Sequence, residues 1–212
     1  MRLELGDGIG SGFFCKININ NNIIMPALIT CYPVLNEDYI KNKNIQFVYF
    51  SYYLSKEIAS INLNIQRIIF QDKKKDITFI EIKEEDNLDI YSFLEMDNSI
   101  NVNNPQTLNH KVYLLHYPKG VDDVQFSQGK SIGLNNKINF ITNYRSEQGS
   151  SGSPIIDYEN GLVIGIHRES KKKENNKYGL GIILKCAVEE FIKKKKKKLV
   201  NLTKIYILNQ IL

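Results

Sequence analysis

Histidine is scarce in this chain: 212 residues hold three, at positions 110, 116 and 167, with none between Met1 and Asn109. Any chemistry that needs an imidazole base must draw it from the second half. Tryptophan is absent, and the three cysteines, Cys15, Cys31 and Cys186, are an odd and widely spaced set. They allow one disulfide at most and exclude both a disulfide framework and a cysteine-based metal centre. No run of about 18 apolar residues occurs, which excludes a transmembrane helix of ordinary length. Met1-Arg2-Leu3-Glu4 also lacks the continuous apolar core of a secretory signal. The expected location is therefore intracellular, in the cytoplasm, and no metal or cofactor is expected.

What is present points to a folded β protein. Apolar residues make up 42% and aromatics 10% of the chain, enough for a core in one domain of about 200 residues or two lobes sharing a cleft. Tyr, Ile, Phe and Val recur in short runs broken by Gly, Asn and Pro, and helical periodicity appears only near the C-terminus. Strands are expected over 10–17, 23–30, 45–53, 65–70 and 77–82, then over 111–118, 125–134, 138–142, 154–156, 162–167 and 178–184. The turn Asp157-Tyr158-Glu159-Asn160-Gly161 is a hairpin signal, because its Asn-Gly pair tolerates positive φ. Residues 187–192 are helix-compatible. The expected organisation is a first lobe over about 1–83, a connection over 84–110, a second lobe over about 111–186, and a lysine-rich tail over 193–212.

The net charge of +5 is largely local, in Lys171-Lys172-Lys173 and the unbroken run Lys193 to Lys198. Clustered lysines attract anionic surfaces at roughly 1 kcal/mol per charge. A solvated tail, in a chain rich in Asn, Lys and Ile, is the plainer reading. Weak binding to an anionic surface through Lys193–Lys198 stands as an expectation, with no specific nucleic-acid partner.

Gly149-Ser150-Ser151-Gly152-Ser153-Pro154 carries the chemistry. Its glycines permit a turn tight enough for the amides of Gly149 and Ser151 to face one point, where a carbonyl oxygen gains negative charge during acyl transfer. Ser151 is then the candidate nucleophile, and it needs a base within hydrogen-bond reach.

Four segments in order, Gly10-Ser11-Gly12-Phe13-Phe14, Ala27-Leu28-Ile29-Thr30, Asp76-Ile77-Thr78-Phe79-Ile80 and Gly149 to Pro154, resemble the trypsin-like, chymotrypsin-fold serine proteases. They span about residues 8–190. The Gly-x-Ser-Gly-Ser-Pro motif followed by Val163-Ile164-Gly165-Ile166-His167 is most similar to the disulfide-poor, V8-like glutamyl endopeptidase branch. The resemblance implies two six-stranded antiparallel β-barrels with a C-terminal helix and an extended peptide or protein as substrate. It places the orienting aspartate on Asp76, the nucleophile on Ser151 and the oxyanion donors on the amides of Gly149 and Ser151.

The histidine is missing. The family has Thr-x-x-His-Val at the end of the second hairpin strand, and this chain has Thr30-Cys31-Tyr32-Pro33-Val34, with proline in the position of the base. Proline has no titratable group and can neither take the Ser151 proton nor return it to a leaving amine. Removing the triad histidine from a serine protease costs about 10⁶ in turnover and leaves roughly 10³ to 10⁴ over water.

His110 and His116 fall where an interlobe loop and a strand are expected. His167 reads either as a polar residue ending a strand or, by the resemblance, as part of a pocket for an acidic side chain. Arg145, six residues before Ser151, lies where the family's specificity pocket has its base, and a cation there favours acidic residues. Cys31 is a poor proton acceptor unless ionised. The first expectation is an impaired or inactive pseudoprotease that binds extended peptides. The alternatives are an active endopeptidase with a displaced base and a preference for cleavage after acidic residues, and a polybasic binding module on a protease scaffold.

Overall fold

The structure, a computed structural model, describes residues 1–5, 8–20, 23–42, 47–51, 58–63, 66–89, 93–104, 109–173 and 176–195. The N-terminal lobe contains β1 (Arg2–Leu5), β2 (Gly8–Ser11), β3 (Phe13–Asn20), β4 (Ile23–Thr30), the short helix α1 (Glu37–Lys41), β5 (Phe47–Ser51), β6 (Ile58–Asn62), β7 (Ile69–Asp72), β8 (Ile77–Glu81) and β9 (Leu94–Glu95). Its strands form a four-stranded sheet in the order β2-β1-β5-β6 and a five-stranded sheet in the order β7-β8-β4-β3-β9. Leu3 and Ile61 from the first sheet and Phe14, Leu28 and Ile80 from the second share one buried core, so the two sheets wrap a single interior.

The C-terminal lobe is a closed six-stranded antiparallel barrel. It is built from β10 (Lys111–His116), β11 (Gln125–Leu134), β12 (Asn139–Thr142), β13 (Pro154–Asp157), β14 (Val163–Lys173) and β15 (Asn176–Ile183), in the order β10-β11-β12-β15-β14-β13. Alternation sets which side faces inward: Val112 and Leu114 on β10 are fully buried, whereas Lys111 is exposed. A helix over 184–195, α2, follows β15 and crosses to the other lobe. Its Phe191 ring packs 5.2 Å from Phe70 and 6.1 Å edge-on to Phe79. Lys194 Nζ adds an ion pair to Asp72 at 2.6 Å. Among the described residues no helix is long and apolar enough to cross a membrane.

Several boundaries differ from those expected. The strand expected over 65–70 lies at Ile69–Asp72. The Asp72 carboxylate accepts from the amides of Lys74 and Lys75, which starts the turn there and sets the pair Asp72↔Ile77. β14 runs six residues past His167 because its ladder with β15 continues beyond a bulge. The connection is not a bare linker: β9 pairs in parallel with β3, and Phe93 stacks on Phe14 at 4.7 Å. α2 includes Lys193 to Lys195, and the rest of the lysine run and residues 199–212 lie outside the described residues. All three cysteines are free thiols.

Candidate active site

The loop between β12 and β13 is shaped by two glycines, Gly149 and Gly152, each at φ +89°, a region other residues rarely enter. The Gln148 carbonyl accepts from the Lys119 amide at 2.6 Å, and the Ser150 carbonyl accepts from the Ser153 amide at 3.2 Å. A trans peptide points its N–H away from its C=O, so the Gly149 and Ser151 amides are turned to the opposite sides of those contacts. Neither has a hydrogen-bond partner among the described residues.

First-lobe strand ends hold this loop. The Ser11 amide donates to the Ser151 carbonyl at 3.1 Å and the Ser11 hydroxyl to the Gly149 carbonyl at 2.7 Å. At Gly152 a Cβ would lie 2.1 Å from the Ser11 carbonyl and 2.3 Å from Thr30 Oγ1, so only glycine lets the two lobes meet here. Ser151 is thereby placed on the seam beside the end of β4, where Pro33 sits exposed in the turn that follows.

Asp76 comes to the same seam from β8. It precedes the strand in a left-handed conformation, φ +61°, and the Tyr32 amide, next to Pro33, helps hold its carboxylate ionised. Arg168 Nε donates to Asp76 Oδ2 at 3.0 Å. Asp76 Oδ1 is buried with no hydrogen-bond partner of good geometry among the described residues. Burial outweighs the Arg168 guanidinium and raises the carboxyl to about 6.

All three histidines are engaged away from Ser151. His110 pairs with Asp157. His116 is buried, with Nδ1 2.6 Å from Ser150 Oγ and Nε2 3.0 Å from Ser127 Oγ. The Glu147 amide donates to Ser150 Oγ, and the tautomer in which the Ser150 hydroxyl donates to Nδ1 and Nε2–H donates to Ser127 satisfies all three side chains. This serine–histidine pair has nucleophile–base geometry, but Ser150 is 0% exposed, closed to any substrate. His167 is 1% exposed, with Nδ1 3.0 Å from the Tyr144 hydroxyl. Burial lowers His116 to about 4 and His167 to about 3, so both are neutral. The Cys31 thiol donates to the His167 carbonyl at 3.2 Å and is held well above its ordinary pKa by burial and the Asp76 charge, which removes it as a base.

Beyond the loop lies an open cavity of about 570 Å³ lined by Arg145, Glu147, Lys172 and Lys177, with Ser146 and Ser170 bonded to each other at 2.5 Å. Arg145 is exposed at its rim. Among the described residues no group of three or more histidine, cysteine or carboxylate side chains is arranged to hold a metal ion.

The sequence profile of the trypsin-like peptidase domain matches residues 10–166, about three-quarters of the chain. The chain belongs to this family. No curated protein matches its sequence. Solved structures share its fold at low identity. A serine endoprotease from Yersinia pestis has 18% identity and a TM-score of 0.58, over 87% of this chain and 57% of that one. A Glu endopeptidase in complex with MPD has 15% identity and a TM-score of 0.60, over 92% and 89%. The Rv3671c protease in an inactive form has 16% identity and a TM-score of 0.55, over 86% and 81%. This chain thus spans little more than half the length of the Yersinia protein.

Within this trypsin-like peptidase domain, the segments quoted from the sequence do meet at one seam: Ser11, Thr30, Asp76 and the Gly149–Pro154 loop. Sequence reading missed Arg168 as the partner of Asp76. Its only signal was a cation directly after Val163-Ile164-Gly165-Ile166-His167, and no local rule says where a long side chain at a bulge within a strand will reach. It also missed the Ser150–His116–Ser127 chain, whose members are 34 and 11 residues apart.

Proposed function

We propose that this trypsin-like peptidase domain is an impaired or inactive serine endopeptidase homologue that binds extended peptides without cutting them. Ser151 stands in the place of the nucleophile, with the unpartnered amides of Gly149 and Ser151 as oxyanion donors. Pro33 stands where the base would be. The observation that carries the reading is the ion pair of Arg168 with Asp76: the carboxylate that would orient an imidazole is answered by a guanidinium, a group that stays protonated and cannot serve as a base. An active enzyme with a displaced base needs a proton acceptor near Ser151, and each histidine is bonded elsewhere.

The peptide is taken up as an added strand. His167 is still tied to the loop, its N–H donating to the Ser153 carbonyl and its C=O accepting from the Gly152 amide; beyond it β14 pairs with β15 alone among the described residues, which leaves its other edge open from Arg168 onward. Arg145 supplies the charge that favours an acidic side chain next to the loop, whereas His167, neutral and enclosed under Tyr144, offers none.

The test is labelling of the purified protein with a fluorophosphonate, beside Ser151→Ala and Pro33→His. No labelling of the parent and Ser151-dependent labelling of Pro33→His is the expected result. Rapid labelling of the parent at Ser151 would refute the inactive reading.

A further inference from the structure

The cavity beside the Ser151 loop carries a charge that no ion pair among the described residues answers. Its charged lining is Arg145, Lys172 and Lys177 against the single carboxylate of Glu147, a balance of three minus one, or +2. Glu147 is already engaged by Lys119 at 3.1 Å. Among the described residues none of the three cations forms an ion pair, although their neighbour Lys171 does so with Glu169 at 3.4 Å.

Two of these cations face each other by construction. Lys172 and Lys177 are directly paired in the antiparallel register of β14 and β15, and like charges opposite one another on adjacent strands are destabilising. That arrangement is relieved when an anion sits between or beside them. Arg145 reaches the same space from the loop preceding Gly149 and presents a planar fork suited to bidentate contact with phosphate or carboxylate oxygens. The hydroxyls of Ser146 and Ser170 bond each other at 2.5 Å across the lining, and Ser170 Oγ also donates to the Ser146 carbonyl at 3.3 Å, so an entering oxygen would have to draw a proton from this pair.

The amount of charge separates the two anions. A glutamate or aspartate side chain brings one negative charge and leaves the cavity cationic. A phosphorylated side chain brings about 1.5 to 2 charges and three acceptor oxygens, which balances the +2 lining. The volume of about 570 Å³ accommodates the larger group. We infer that this cavity is a recognition pocket for a phosphorylated residue of an extended peptide, in preference to a carboxylate side chain. The inference rests on the peptide-binding reading above and gives that site its ligand chemistry.

The test uses the full chain and three fluorescein-labelled decapeptides, identical except for phosphoserine, glutamate or serine at the central position, followed by anisotropy at fixed ionic strength. The phosphoserine peptide is expected to bind at least tenfold more tightly than the other two. Arg145→Ala and Lys177→Ala, both changes at exposed side chains, should each bring the affinity for the phosphoserine peptide most of the way down to that for the serine peptide measured on the same variant. Equal binding of all three peptides, or tighter binding of the glutamate peptide, overturns the phosphate pocket and leaves peptide binding standing. Binding of none overturns the peptide-binding reading itself, and the pocket with it. Inorganic phosphate is the remaining arm. Competition only at concentrations far above that of the phosphopeptide supports the inference, and displacement at equal concentration shows a free-anion site instead.

Discussion

Arg168 Nε donates to Asp76 Oδ2 at 3.0 Å, yet the Asp76 carboxyl is held up near 6, above its ordinary value of 3.8. The guanidinium does not fully compensate the water lost on burial, because it reaches one oxygen and leaves Oδ1 buried without a hydrogen-bond partner of good geometry among the described residues. Pro33, in the turn after β4, has no N–H to donate to that second oxygen.

Asp76→Asn should therefore not destabilise the protein at pH 7.5. With the folded pKa above the unfolded one, the native state binds the proton first as pH falls from about 6 to 3.8, so this group's contribution to stability rises toward acid. The ionised carboxylate costs stability at neutral pH, on the order of 1–2 kcal/mol once its partial contact with solvent is allowed for. Urea unfolding of parent and variant at pH 4 and pH 7.5 should show the variant equal or more stable at pH 7.5, with the advantage gone at pH 4. A clear loss at pH 7.5 would mean that the ion pair with Arg168 outweighs burial.

The buried histidines act with the opposite sign. His116, lowered to about 4, stays neutral in the fold while the unfolded chain takes up a proton near 6.5. Stability from this group is thus lost as pH falls from about 6.5 toward 4. His116→Gln should cost about 1–3 kcal/mol at pH 7.5 by removing the buried ring that the Ser150 and Ser127 hydroxyls share. The cost should shrink at pH 4.5, where the parent's histidine no longer has its advantage. Thermal melts of both proteins across that range provide the comparison, and an unchanged difference would argue against a neutral His116.

The sequence and the structure agree most where a local rule decides. Gly149, Gly152 and Gly161 all adopt positive φ, as the motif and the Asn-Gly turn require. The strands of the second lobe fall close to their expected positions because alternation and turn residues mark them independently of the rest of the fold. The disagreements are products of pairing. β7 is shifted because Asp72 caps its own turn, β14 is lengthened by β15, and α2 is extended by docking of Phe191 against the other lobe. The proposal that the base is missing starts from Pro33 in the sequence, whereas the cation that answers Asp76 was not legible there, since it depends on where a bulge within β14 meets a loop 92 residues earlier in the chain.

Gly152→Ala should be among the most damaging single substitutions in the protein. Its Cβ would meet the Ser11 carbonyl at 2.1 Å, backbone that cannot yield, and the buried Thr30 Oγ1 at 2.3 Å. Gly161→Ala is the matched control, with φ +73° but nothing within 4 Å of the added methyl. The first is expected to cost more than about 4 kcal/mol or to prevent folding, and the second about 1 kcal/mol, the price of the backbone conformation alone. Similar denaturation midpoints for the two variants would show that the lobes do not meet closely at Ser11.

Placing a histidine at position 33 tests whether this seam can support a base for Ser151. In Pro33→His the new imidazole must take the Ser151 proton and become an imidazolium next to Asp76, whose charge is already claimed by Arg168. A guanidinium nearby disfavours that second cation and lowers the imidazole's basicity. Pro33→His combined with Arg168→Ser removes the competitor and gives the ring sole use of the carboxylate. Fluorophosphonate labelling of Ser151 should be at least about tenfold faster in the double variant than in Pro33→His, and should rise with pH through the range of an ordinary histidine, near 6.5. Equal rates in the two variants would show that Arg168 does not obstruct the base and that Pro33 alone accounts for the defect. Labelling in neither would place the fault in the oxyanion amides of Gly149 and Ser151, because the nucleophile, the base and the orienting carboxylate would then all be present.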